Sequence, residues 1–332
     1  MGIGLIIVIV LVCGSIFVNG WTDAPNAITT VVSTRVLSPK AAVGLAAVFN
    51  LLGVLLMGTA VAKTIGNIID LTPGTDGLIT LAAAQISIVA WAVGAWRFGI
   101  PTSESHALIA GLTGAAMAGS GLDSVSWAEW QKVLLGLGIS SIIGFISSWL
   151  LTVGVAKTFG KMQRRRANKF FSFGQIVSAS AMAFSHGAQD GQKFIGVIAY
   201  ALMLGSVIPM GGAFSVPIWV MVGVAALMAI GTSVGGYRII KTMGMDMVKI
   251  EKYQGFSSEI AASACMIGAT VFGIPLSTTN TKGTAIMGAA AARRLSNVNW
   301  GIVKEMFTAW ILTFPACALI GYLMALLLHA IF

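Results

Sequence analysis

Apolar stretches recur along the chain at roughly 2–18, 41–62, 78–96, 133–156, 170–185, 194–208, 217–235, 257–272 and 306–331. Most approach the ~20 residues that carry a helix across about 30 Å of hydrocarbon. The pattern therefore predicts an all-α, polytopic membrane protein. Four short polar stretches interrupt it: NGWTDAPNA (19–27), FGIPTSESH (98–106), HGAQDGQKF (186–194) and FGIPLSTTN (272–280).

These interruptions come in pairs. Gly20, Asp23 and Asn26 of the first align with Gly187, Asp190 and Lys193 of the third, and the second aligns with the fourth from Phe98 on Phe272 to His106 on Asn280. A weaker echo pairs MGTAV (57–61) with IGTSV (230–234). The order is conserved throughout, which is the mark of an internal duplication. The expected organisation is a first membrane repeat over 1–160, a basic cytoplasmic linker over 161–169 and a second membrane repeat over 170–332.

Composition agrees with lipid as the solvent. Of 332 residues 57% are hydrophobic and 9% are charged, where a soluble domain carries about 25% charged. The net charge of +9 reports orientation rather than a nucleic-acid partner. Its densest cluster, KTFGKMQRRRANK (157–169), marks a cytoplasmic loop. Counting crossings outward puts Arg35, Lys40, Arg238, Lys241, Lys249, Lys252, Arg293, Arg294 and Lys304 on the same side. Both termini then lie outside, in a multi-pass protein of the plasma (inner) membrane. The second repeat starts inside and the first outside, so the two are inverted in topology. Inverted repeats with matching polar breaks point to a secondary transporter's midplane site. Cys13, Cys265 and Cys317 lie in apolar runs without metal-ligand spacing and read as small hydrophobes.

An ionised Asp at the centre of a spanning helix costs about 2.5–3.5 kcal/mol, yet the pattern supplies Asp23 and Asp190. Gly20, Pro25, Gly187 and Gly191 surround them and predict broken helices with freed carbonyls. With amide oxygens from Asn26 and Gln189, each carboxylate completes a hard-oxygen site for Na⁺ or a proton. Asp23 and Asp190 would be the metal ligands if the cation is Na⁺. The alternative is a pair of hydrogen-bonded polar clasps.

The IPTSESH and IPLSTTN stretches each read as a helix starting within the membrane, with proline and a Ser N-cap ahead of a small-residue run. Free N–H groups and the partial positive charge of such a start suit an anion. The predicted anion-binding residues are Ser103, Glu104, Ser105 and His106 in one half, and Ser277, Thr278, Thr279, Asn280 and Lys282 in the other. The segments 78–119 and 257–291 are either re-entrant hairpins or two full crossings each. Lys193 is expected to neutralise Asp190, and Glu259 to lie at the interface. His186 is a relay or a packing residue, and Lys282 an anion ligand or a snorkelling cation.

At these residues the chain resembles the inorganic phosphate transporter family, with its G-x-N-D-x-x-N-A-like signature in each half and P-x-S-T-T-H-like motif after each. The resemblance spans essentially the whole chain. It implies inverted repeats, phosphate as substrate, Na⁺ or H⁺ as coupling ion, no organic cofactor and a homodimer. This sequence departs from the pattern at Thr22 and Gln189, which replace Asn, at Lys193, which replaces a later Asn, at Glu104, which replaces Thr, and at Asn280, which replaces His. The expected function is cation-coupled phosphate import by alternating access. Rivals are a sulfate or other oxyanion permease, a channel, and an intramembrane hydrolase built on Ser105, His106, His186 and an Asp.

Overall fold

The computed structural model describes residues 2–209 and 216–332. The apolar runs become helices, and so do the small-residue segments after the two proline motifs. The first half holds α1 (Ile3–Thr22), α2 (Pro25–Ser33), α3 (Pro39–Leu56), α4 (Ala60–Gly66), α5 (Thr75–Arg97), α6 (Glu104–Ser120) and α7 (Trp127–Phe159). The second holds α8 (Arg164–His186), α9 (Gln192–Leu204), α10 (Ile218–Gly235), α11 (Tyr237–Lys241), α12 (Lys252–Val271), α13 (Thr278–Ala291) and α14 (Trp300–Ile331). Each element has a counterpart in order, down to the isolated bridges Ile69–Val125 and Val248–Val298. Most of the 161–169 stretch, from Arg164 onward, is the first turns of α8 rather than a loop.

Among the described residues, five helical segments are long and apolar enough to span a bilayer: Ile3–Ser33, Pro39–Leu56, Thr75–Arg97, Trp127–Phe159 and Trp300–Ile331. The chain is thus an integral membrane protein. α7 and α14 turn Ile139, Ile142, Ile146, Ile311, Leu319 and Leu323 outward, the side chains that lipid solvates. α6 and α13 do the opposite. Every residue of α13, and α6 from Glu104 to Ala116, is buried. Small residues let their backbones approach neighbours closely: a β-carbon on Gly114 would lie 2.0 Å from the Ala318 carbonyl oxygen of α14, and one on Gly288 2.2 Å from that of Phe145 of α7. Each half's buried helix therefore packs on the long final helix of the other half.

The expected broken helices are continuous. Residues Gly187–Gly191 form a π turn that joins α8 to α9. At the first motif Ala24 N–H reaches back five residues to the Asn19 carbonyl at 3.1 Å, the same widening. A π turn bends the helix while keeping backbone groups bonded, and unwinding in lipid leaves them unsatisfied. The glycines serve close approach instead. β-Carbons at Gly20 and Gly187 would each meet a carbonyl oxygen at 2.2 Å, of Met228 on α10 and Asn50 on α3 respectively. Gly53 and Gly231 complete the two crossings against Phe184 and Phe17. Gly231 thus corresponds to Gly53, so the MGTAV/IGTSV echo, which pairs it with Gly58, is out of register.

The α5–α6 and α12–α13 pairs are hairpins that open in opposite directions. Gly119 at the end of α6 lies against Thr80 near the start of α5 and His329 near the C-terminus. The start of α12 meets the end of α13 through Gln254 Nε2 to the Ala289 carbonyl (2.7 Å) and the Glu251–Arg293 ion pair. Residues of the N-terminus, the α4–α5 loop, the end of α9 and the C-terminus line one cavity. Phe159, Arg164, Lys252 and Arg293 line another at the basic end.

Candidate functional site

The two hairpin tips meet at the two π-type turns. Ser103 caps α6 by accepting from His106 N (3.3 Å), and Ser277 caps α13 by accepting from Asn280 N (3.1 Å). These caps fix where each helix starts, and so where the next side chains point. Thr278 and Thr279 straddle the start of α13. Thr278 donates to Asp190 Oδ2 at 3.1 Å, and Thr279 donates to Asp23 Oδ1. Asp23 also accepts from Asn26 Nδ2 at 3.0 Å and from the Glu104 backbone N–H at 3.3 Å. Glu104 Oε1 accepts from the Thr22 hydroxyl, while its Oε2 is buried without a hydrogen-bond partner.

Asp190 carries the richer shell. Its Oδ1 accepts from Lys193 Nζ at 2.7 Å. Its Oδ2 accepts from Asn19 Nδ2 at 3.4 Å and lies 3.2 Å from His186 Nε2. Lys193 also donates to the Ser105 hydroxyl and to the Leu276 carbonyl. The expected Lys193–Asp190 pair is present, and it reaches across to both hairpin tips. One buried centre thus gathers Asp23, Asn26, Glu104, Ser105, Asp190, Lys193, Thr278 and Thr279.

Other predicted residues stand apart from it. Gln189 braces the second hairpin: Nε2 donates to Thr270 Oγ1 (2.9 Å) and the Ile274 carbonyl (3.2 Å), and Oε1 accepts from Leu276 N–H (3.1 Å). Its oxygen is already bonded, unlike Asn26 Oδ1, which is buried without a partner. His106 stacks on Phe314 with ring centroids 4.6 Å apart. Asn280 closes the α13 cap, its Oδ1 accepting from Ser277 at 2.9 Å.

Lys282 belongs to a separate buried cluster, donating to Thr30 Oγ1 at 3.1 Å, with its Nζ 3.9 Å from Glu259 Oε1. Glu259 accepts from Thr30 and Ser178. It is fully buried, which corrects its expected place at the interface; an ammonium and two hydroxyls offset the burial. The sequence signal was the buried Lys282 itself, since such a cation needs a carboxylate. Asn19 was also overlooked, although the repeat aligns it with His186.

Carboxylate, amide and hydroxyl oxygens at Asp23, Asn26 and Thr279 make a hard donor set that fits an alkali cation. Among the described residues no group of three or more His, Cys, Asp and Glu has metal-binding geometry. The geometry offers little to nucleophilic catalysis. The Ser105 hydroxyl lies on the Leu276 carbonyl at 3.2 Å, and among the described residues no Ser–His hydrogen bond joins Ser105 to His106 or His186.

A buried centre of paired carboxylates and hydroxyl-tipped helix starts, inside a helical membrane protein, belongs to a transporter and not to an enzyme. Comparison with known proteins gives the family. The sequence model of the phosphate transporter family matches residues 19–321, and the chain belongs to that family. A Rhizobium meliloti (strain 1021) protein described as "Probable low-affinity inorganic phosphate transporter" is 42% identical over 308 residues, covering 92% of this chain and 91% of the relative. A Bacillus subtilis (strain 168) protein of the same description is 37% identical over the full length of both. A solved structure described as "The sodium-dependent phosphate transporter" shares the fold, with a TM-score of 0.89, 20% identity and complete coverage of both chains.

Proposed function

We propose that the chain imports inorganic phosphate together with a cation, by alternating access around the Asp23–Asp190 centre. One observation carries this reading: adjacent hydroxyls at the start of α13, Thr278 and Thr279, donate to two different buried carboxylates. A hydroxyl has one proton to give. When phosphate accepts from these hydroxyls and from the backbone N–H groups of the helix start, each carboxylate loses one donor; Asp190 keeps the Lys193 ammonium, and Asp23 keeps only neutral N–H donors. An ionised carboxylate in that setting needs a compensating cation. Phosphate binding and cation binding therefore favour each other, which is the thermodynamic content of symport.

The phosphate site comprises Ser103, Glu104, Ser105, Ser277, Thr278 and Thr279, and the cation site centres on Asp23 and Asn26. The chain divides into inverted repeats over 1–160 and 170–332, joined by the basic 161–169 segment at the cytoplasmic face. The hairpins opening in opposite directions support that inversion, with α5–α6 and α12–α13 re-entrant from opposite sides. Both termini are then outside, in the plasma membrane, and two chains assemble as a homodimer. At about −100 mV each entering negative charge costs roughly 2.3 kcal/mol, so a phosphate bearing about −1.5 to −2 charges has to be accompanied. The solved relative of the same fold is described as sodium-dependent, which favours Na⁺ over H⁺ here. The test is uptake of labelled phosphate into liposomes holding the purified protein, with Na⁺ and H⁺ gradients imposed separately. Accumulation driven by the Na⁺ gradient supports the reading, and equilibration without accumulation under either gradient overturns it in favour of a channel.

A further inference from the structure

The two halves do not treat their carboxylates alike. Along the first motif Asn19, Asp23 and Asn26 follow one another at helical spacing; along the second the aligned residues are His186, Asp190 and Lys193. Lys193 Nζ is held by three oxygens of three kinds: the Asp190 carboxylate at 2.7 Å, the Ser105 hydroxyl and the Leu276 carbonyl. Carboxylate, hydroxyl and carbonyl are the oxygen ligands that hold a hard cation. Aligning the halves pairs these ligands with Asp23, Thr279 and Thr102, and pairs the ammonium's own residue with Asn26. There, among the described residues, no side-chain cation pairs with Asp23. Instead the amide oxygens Asn26 Oδ1 and Asn19 Oδ1 are buried without hydrogen-bond partners, spare acceptors on either side of Asp23.

We propose that the Lys193 ammonium is a built-in cation, permanently filling at Asp190 the position that a transported cation takes at Asp23. The first half then supplies the single exchangeable cation site, and the second is compensated by the chain itself. Both ions are monovalent and take oxygen ligands, so the substitution keeps charge and coordination while removing exchange. The charges agree. Asp190 is matched by Lys193 at every stage of the cycle, whereas Asp23 has only neutral donors. This rests on the reading of the chain as a cation-coupled phosphate importer, and it fixes the coupling ratio at one cation per phosphate.

The experiment measures labelled-phosphate accumulation at steady state in liposomes, under graded Na⁺ gradients with the membrane potential clamped at zero. With one coupled cation a tenfold gradient supports about tenfold accumulation and with two about a hundredfold, each factor of ten being about 1.4 kcal/mol. The native protein is expected to follow the first power of the gradient, with hyperbolic activation by Na⁺. Lys193→Asn restores the first-half residue; it should open a second site, so that accumulation follows the square of the gradient and activation turns sigmoidal. Second-power accumulation by the native protein would overturn the inference alone, as would a first-power, hyperbolic Lys193→Asn variant. Absence of accumulation by the native protein under Na⁺ and under H⁺ gradients alike would overturn the transport reading and this inference with it. If the variant does not fold, the native exponent decides by itself.

Discussion

Asp23 and Asp190 are the same residue type in aligned positions, but they lean on different neighbours, and their removal should differ accordingly. Asp190→Asn leaves the buried Lys193 ammonium without its carboxylate, and breaking such a pair costs about 3–5 kcal/mol. Asp23→Asn leaves no unpaired charge behind. Thermal unfolding of the purified variants in detergent should show a large loss for Asp190→Asn and a small one for Asp23→Asn. Only Asp23→Asn should then give a well-folded protein that has lost cation-driven uptake. Normal accumulation by it would remove Asp23 from coupling. We propose that Glu104 governs the choice of anion. Its Oε2 is a buried acceptor without a donor; monohydrogen phosphate brings a hydroxyl that can supply one, and sulfate at neutral pH does not. Glu104→Gln should keep phosphate binding but narrow the preference over sulfate by about tenfold, equivalent to about 1.4 kcal/mol. Sulfate competition against labelled phosphate reads this directly, and unchanged competition would exclude the role. Charged residues inside apolar runs were legible because lipid makes them expensive. Asn19 and Glu259 were not, since a neutral amide raises no alarm and an acid near a run's edge reads as interfacial.

At the scale of elements, the helix–helix crossings depend on glycines. Gly187→Ala drives a methyl into the Asn50 carbonyl of α3, backbone that cannot rotate away, whereas Gly223 on α10 has nothing within 4 Å of its β-position. Overpacking of this kind costs about 1–3 kcal/mol. The unfolding midpoint should fall for Gly187→Ala and stay level or rise for Gly223→Ala. Equal effects would show that the crossing tolerates expansion. The helices themselves, including α6 and α13, were legible from hydropathy, proline and Ser caps. The π turns were not, because glycine in a sequence signals permissive backbone without saying whether the helix opens or only widens. The register of the third echo failed for a related reason: glycine and small residues recur so often in these helices that a five-residue match does not fix a pairing, and the crossing geometry does.

The whole molecule offers a topology test. Single cysteines at exposed positions 121 and 163 should react with impermeant thiol reagents, the first from outside and the second only from inside. Labelling of 163 from outside would reverse the orientation and leave the internal duplication intact. The corresponding external position 213 lies outside the described residues. Four aligned motifs carry the expected duplication, but the exchange of partners between halves was not legible, since no residue pattern says which long helix a buried helix will choose. That exchange bears on how the chain is made. α14 is synthesised after every other described helix, yet it is the surface on which α6 of the first half packs, Gly114 against Ala318 and Gly321 against Gly111. Until the C-terminus emerges, the first half holds a helix with its closest neighbour missing, and the protein assembles late rather than half by half. Chains stopped before Trp300 should therefore insert but be degraded. Supplying the missing α14 segment as a separate co-expressed piece should restore them, because what they lack is a partner and not a fold signal.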